Sequence, residues 1–237
     1  MNHTFKGYLI EFFIVFIGIV ASFFIDAAVK MNEKVALKNV LLEEFLLKVE
    51  EDIEQLKNIQ EILARCKESS DILIEDFYNQ TLSEDNLANE YLYLSQNMGI
   101  SFYPQNGLYE QLLESGKIEL IVSSELRILL STIYEHYEDR NSALTRTLDD
   151  FFLTSFTNVA NDIIVFSQSS SENQIIYSGT RVKTYDISSS YYTSRDIPAF
   201  YSESQNLIRF YADLMDNYAK GFKELKLLIK EELRFQS

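Results

Sequence analysis

Only two histidines occur in this chain of 237 residues, and one of them stands among carboxylates. His136 lies in the run YEHYEDR, Tyr134 to Arg140. On a helix, Glu135 and Asp139 are then i,i+4 neighbours on one face, with His136 and Arg140 beside them. Two acids and an imidazole are donors that a divalent metal accepts, yet without a second histidine the set is poor in strong ligands. The same letters describe a solvated helix surface laced with both signs of charge, and Glu135, His136 and Asp139 are read that way. Arg127 and His136 are too widely spaced for the compact Arg–His pair of many helical RNases. Cys66 is the only cysteine; it excludes an intrachain disulfide and reads as a small core residue on a helix. There is no Walker-type loop, no HExxH and no CxxC, the seven glycines are too scattered for a dinucleotide fingerprint, and no serine is coupled in sequence to a base. No catalytic residue, cofactor or bound metal is expected, and the chain is not read as an enzyme.

The polar residues with the clearest positional logic lie at the N-terminus. Tyr8 to Ile25 reads YLIEFFIVFIGIVASFFI, with Glu11 its one charge. Crossing the hydrocarbon core takes about 20 apolar residues, so this run spans when its ends snorkel. A cleaved signal peptide is the rival reading. Against it stand the length of the run, Glu11 near its start, and Asp26 where cleavage after Ala28 would want a small residue. At about 100° per residue, Glu11, Val15, Gly18 and Ser22 fall in one narrow stripe with Asp26 close to it, while Phe12, Phe13, Phe16, Phe23 and Phe24 collect opposite. An intramembrane carboxylate faces protein or water, and Gly18 with Ser22 is a small-xxx-small pair that lets two backbones approach. With one span in the chain, a second copy is the simplest partner, so Glu11, Val15, Gly18, Ser22 and Asp26 are the expected association face of a homo-oligomer. Lys6 and the α-amine precede the span; Lys30, Lys34 and Lys38 follow it, which places the following domain in the cytoplasm.

Helices must position these residues. Hydrophobic residues make up 46% of the chain, enough to build a core, and no glycine or proline interrupts the stretch from Gly18 to Gly99. Leu41, Phe45, Val49, Ile53, Leu56, Ile59 or Gln60, Leu63 and Cys66 recur every three or four positions, as one buried stripe requires. Helix running from Ile19 to Lys67 would extend about 75 Å. Ser69-Ser70-Asp71 suggests a break, then a short helix around Ile72 to Tyr78. Thr81 to Glu84 fits a capping box. Asn106 to Lys117 reads as a short helix stopped by Gly116. Ser123-Ser124-Glu125 opens a long helix whose stripe runs from Leu126 to Ile163. The stretch 167–204 is Ser- and Tyr-rich and reads as a long exposed loop, with a small hairpin near 174–187 turning at Ser178-Gly179. Pro198 introduces a last helix carrying Leu207, Tyr211, Leu214, Tyr218, Phe222, Leu225 and Ile229. The expected fold is all-α: an anchor (1–28), a helical stalk (29–68) and an antiparallel helical bundle (69–237). The net charge of −15, with no basic stripe, repels phosphate backbones and excludes nucleic acid as a partner.

Two stretches carry a resemblance. EFFIVFIGIVASFFIDAA, from Glu11 to Ala28, is similar to the membrane segment of an uncharacterised family of bacterial proteins with one N-terminal transmembrane helix and a helical soluble domain. YPQNGLYEQLLESGKIELIVSSELRILLSTIYEHYE, from Tyr103 to Glu138, resembles that family's block of an aromatic, a polar turn, Tyr-Glu-x-Leu-x-x-Ser-Gly, Leu-Ile and a capped helix. The resemblance covers about residues 8–165. It departs after the span, where DAAVKMNEK replaces an Asn-Asn-Trp-type step and a more basic run. It implies a common fold in a bacterial inner membrane, and no catalytic residues.

The leading expectation is a membrane-anchored, non-enzymatic oligomeric scaffold or sensor, whose bundle binds a protein or small ligand. The alternative, motivated by Glu11 and Asp26, is an oligomeric effector whose anchors enclose a pore or perturb permeability in bacterial defence. A metal-dependent enzyme on Glu135, His136 and Asp139 is the third and weakest reading.

Overall fold

The computed structural model describes residues 2–169 and 180–234. Helix α1 (Asn2–Asn79) passes without interruption from the apolar N-terminus into the folded body. It is followed by α2 (Glu84–Asn97), α3 (Gly107–Glu114), a 3-10 turn (Lys117–Leu120), α4 (Ser124–Ser131), a π-helical segment (Thr132–Tyr137) and α5 (Glu138–Val159). Strands β1 (Ile163–Ser169) and β2 (Thr180–Ile187) form an antiparallel pair, and α6 (Asp196–Arg234) closes the chain. Among the described residues the protein is all-α apart from this one pair.

Helices α1 and α6 form the spine and run antiparallel. Their contacts climb one helix as they descend the other: Lys38 with Glu232, Glu50 with Lys226, Gln60 with Asp216, and Asp71 with Gln205. On one side of this pair the chain descends through α2 and α3; on the other it climbs through α4, the π segment and α5, giving an up-down-up-down bundle. Leu42, Phe45, Val49, Leu56 and Leu63 from α1 meet Tyr211, Tyr218, Phe222, Leu225 and Ile229 from α6 in the core. Phe102, in the loop between α2 and α3, packs edge-on against the stacked rings of Tyr218 and Phe222. Its backbone is held on both sides: its N–H donates to the Tyr211 hydroxyl at 2.7 Å, and its carbonyl accepts from Asn141 Nδ2 at 2.8 Å.

The structure redraws four local expectations. No break occurs at Ser69-Ser70: both side chains are buried, Ser70 Oγ donating to the Tyr201 carbonyl and Ser69 Oγ to Glu90, so their hydroxyls serve interhelical contacts instead of competing with the helix. The cap of α2 is Ser83, not Thr81, its Oγ accepting from Asn86 N, because Thr81 N is taken by Asp76 Oδ1. Gly116 does stop the short helix α3, in the left-handed conformation (φ 65°). The long helix ends at Val159, and Ile163 begins a strand instead of extending the helical stripe, with β-branched Ile164 and Val165 after it. That strand pairs with β2; the expected first strand at Ile175 to Tyr177 and the turn at Ser178-Gly179 lie outside the described residues. The stretch 167–204 is therefore not one exposed loop. It holds β2, a 3-10 turn (Tyr191–Thr193) and the start of α6, pinned by the buried hydroxyl pair Tyr191–Tyr201 at 2.9 Å.

Candidate functional site

The acid–histidine cluster is not drawn together. Glu135 sits in the π segment, where its carboxylate accepts from the Tyr109 hydroxyl and, at 2.9 Å, from Ser131 Oγ. These bonds, Tyr109 foremost, hold Glu135 below the usual carboxylate range. Glu135, His136 and Asp139 are exposed, and among the described residues no group of three or more His, Cys, Asp or Glu side chains converges as metal ligands do. The bond from Tyr109 instead ties α3 to the π segment. Cys66 is buried, and burial pushes its thiol up to about 12, which leaves it inert as a nucleophile.

The anchor residues stand apart from the body. Glu11, Val15, Gly18, Ser22 and Asp26 are all exposed on the free part of α1, and the apolar window there has none of its residues buried. By length and composition this is a helix able to cross a membrane. A Cβ on Gly18 would meet nothing within 4 Å. The chain's own packing thus gives no reason for a glycine, which costs a helix interior about 0.5–1 kcal/mol relative to alanine. Asp26 already has a cation, Lys30 Nζ at 2.8 Å.

Lys38 belongs to the bundle. Its side chain is fully buried and pairs with Glu232 Oε1 at 2.9 Å. Glu232 also accepts from Val122 N at 2.9 Å and Ser123 N at 3.0 Å, so one carboxylate joins α1, α6 and the entry to α4. Burial alone would raise this acid; the two backbone donors and Lys38 outweigh it and hold Glu232 below its usual value. Two more acids are buried in α1. Asp76 receives Thr81 N (2.8 Å) and Leu82 N (2.6 Å) on Oδ1 and the Tyr192 hydroxyl (2.9 Å) on Oδ2, closing the top of α1. Asp52 is 1% exposed and receives Gln105 N at 3.1 Å and Gln105 Nε2 at 3.4 Å, without a cation in contact among the described residues. Burial pushes it up to about 6, against the pull of the Gln105 donors. The Tyr134 hydroxyl is buried with no hydrogen-bond partner among the described residues, and burial, with Asp52 acting second, raises its pKa.

Sequence reasoning missed the three buried charges of α1, although a signal was present. Each sits in phase with the apolar stripe: Lys38 precedes Leu41, Leu42 and Phe45 by three, four and seven positions, Asp52 lies between Val49 and Leu56, and Asp76 is three past Leu73. Their partners lie far along the chain, which no helical spacing reveals. A shallow cleft of about 230 Å³ at the top of α6, floored by Phe151, Val159 and Phe200, carries Asp196 and Glu203 at its rim. Compared with known proteins, the chain finds no match to any family model, curated protein or solved structure.

Proposed function

We propose that this chain is a single-pass, non-enzymatic membrane scaffold or sensor of the bacterial inner membrane, self-associating through its anchor and presenting the helical bundle to a protein or ligand partner. The observation that supports it best is the continuity of α1: one helix forms both the apolar anchor and a wall of the bundle core, with no hinge between them. A rotation or tilt imposed at either end is then passed to the other through a packed rod. The soluble bundle is assigned to the cytoplasm. Topology is decided while the chain inserts, before α6 exists to sequester Lys38, so Lys30, Lys34 and Lys38 all act as retaining charges. The kinship suggested by the anchor and the Tyr103–Glu138 block belongs to this reading as well.

The deciding experiment is the protein mass of the full-length particle in mild detergent, by light scattering with the detergent contribution subtracted. A dimer to tetramer is expected. A ring of five or more chains would move the reading to a pore lined by Glu11, and a monomer would refute self-association.

A further inference from the structure

The anchor face does not end at the membrane. Because α1 is unbroken and has about 3.6 residues per turn, positions 18 apart, about five turns, share an azimuth. Glu11 is followed on the same line by Val29 and Leu47, Gly18 by Ala36, and Ser22 by Val40. Val29, Val40 and Leu47 are 49%, 48% and 62% exposed, although Val40 and Leu47 lie beside the best buried stretch of the helix. Lys38, Leu42, Phe45 and Val49 point the opposite way, into the bundle, so this free line is the back of the wall. Large aliphatic side chains at helical repeat on a solvent face are unexplained by the chain's own fold.

The flanks of the line indicate what covers it. Around Leu47, exposed Glu43 lies on one side and half-buried Lys48, which pairs with Glu51 of its own helix at 2.8 Å, on the other. When two copies of a helix pair in parallel about a two-fold axis, opposite flanks of the two copies face each other. Glu43 of one chain then comes opposite Lys48 of the other, whose ammonium it would share with Glu51, at the five-residue offset used by flanking charges across a parallel helix seam. An antiparallel partner would carry its anchor away from the membrane. We propose that α1 from Val29 to Leu47 is the extramembrane half of a parallel interface with a second copy of this chain, in phase with the anchor stripe. The inference rests on the reading of that stripe as self-associating and extends it about 33 Å beyond Ile25.

Cysteine cross-linking of the full-length chain in phosphatidylcholine vesicles tests it, with copper–phenanthroline as oxidant. Buried Cys66 stays in place, and the unmodified chain is the background. Val40→Cys and Leu47→Cys are expected to form disulfide dimers at least roughly tenfold faster than Leu227→Cys, which is exposed on the outer face of α6 and shares the local concentration set by the anchors. Glu43→Lys added to Val40→Cys should slow the reaction roughly two- to fivefold, and adding Lys48→Glu should restore it. Rates at positions 40 and 47 no faster than at 227 overturn the extension. Ser22→Cys separates the two readings: cross-linking there with none at 40 leaves the anchor association standing alone, and none at either position removes both.

Discussion

At the residue scale, Asp52 is the side chain whose ionisation opposes the fold. Its carboxyl holds Gln105, and thereby the loop that seats Phe102, but it does so buried and without a cation in contact. Burial raises it from 3.8 to about 6. Between those values the folded chain holds a proton that the unfolded chain has lost, so this group's contribution falls as pH rises and is fully unfavourable above pH 6. The upper bound on that loss is about 3 kcal/mol. Asp52→Asn keeps an acceptor for Gln105 N and removes the ionisation. Thermal unfolding of the full-length variant in detergent should match the parent near pH 4 and exceed it increasingly towards pH 7. Equal pH profiles for the two proteins would show that Asp52 ionises in the fold without penalty. Glu232 illustrates the opposite case, where two backbone N–H groups and Lys38 over-compensate the same burial.

At the element scale, what was legible was what repeats. The apolar stripes of α1 and α6, the helix start at Ser123-Ser124-Glu125 and the stop at Gly116 are local patterns, and the structure carries them as read. Ser69 and Ser70 looked like a break because serine competes for backbone hydrogen bonds; only the fold supplies Glu90 and the Tyr201 carbonyl as better partners. Ile163 continued a helical count, and what turned it into a strand was a pairing with Ile187, well along the chain. The π segment was invisible for a related reason. Its i→i+5 bonding absorbs one extra residue, a change that a stripe counted in steps of three or four residues tolerates, so the apolar count does not reveal it. It also packs tightly on α6, where a Cβ added at Gly221 would come within 3.1 Å of Ile133 Cδ1. Deleting exposed His136 should therefore convert the segment to ordinary α-helix and hold α4 and α5 in phase, shifting Tm by no more than about 4 °C, or about 1 kcal/mol. Deleting exposed Ser142, inside regular helix, should rotate Leu148 and Val159 out of the core by about 100° and abolish cooperative unfolding. Equal damage from both deletions would mean that the π segment is not a relaxed insertion.

At the scale of the whole molecule, anchor and bundle behave as one body only if the helix between them stays rigid. That joint, from Val29 to Leu37, is exposed along nearly its whole length and borrows no support from packing, so its stiffness comes from backbone hydrogen bonds alone. Asn32→Pro removes one of these bonds and crowds the carbonyl of Ala28, a cost of about 3 kcal/mol that an unpacked helix relieves by kinking. The bundle begins at Lys38 and the anchor stripe ends at Asp26, so neither loses a contact. Far-ultraviolet circular dichroism and the unfolding midpoint of the bundle should stay near those of the parent, and Ser22→Cys should cross-link as before. The line from Ser22 to Val40 would lose its common azimuth, however, and the Val40→Cys cross-link should fall towards the Leu227→Cys background. A rod that signals by rotation requires this uncoupling. Undiminished cross-linking at Val40 in the kinked chain would show that the bundles pair by their own surfaces, and that the continuity of α1 matters for reach and not for register.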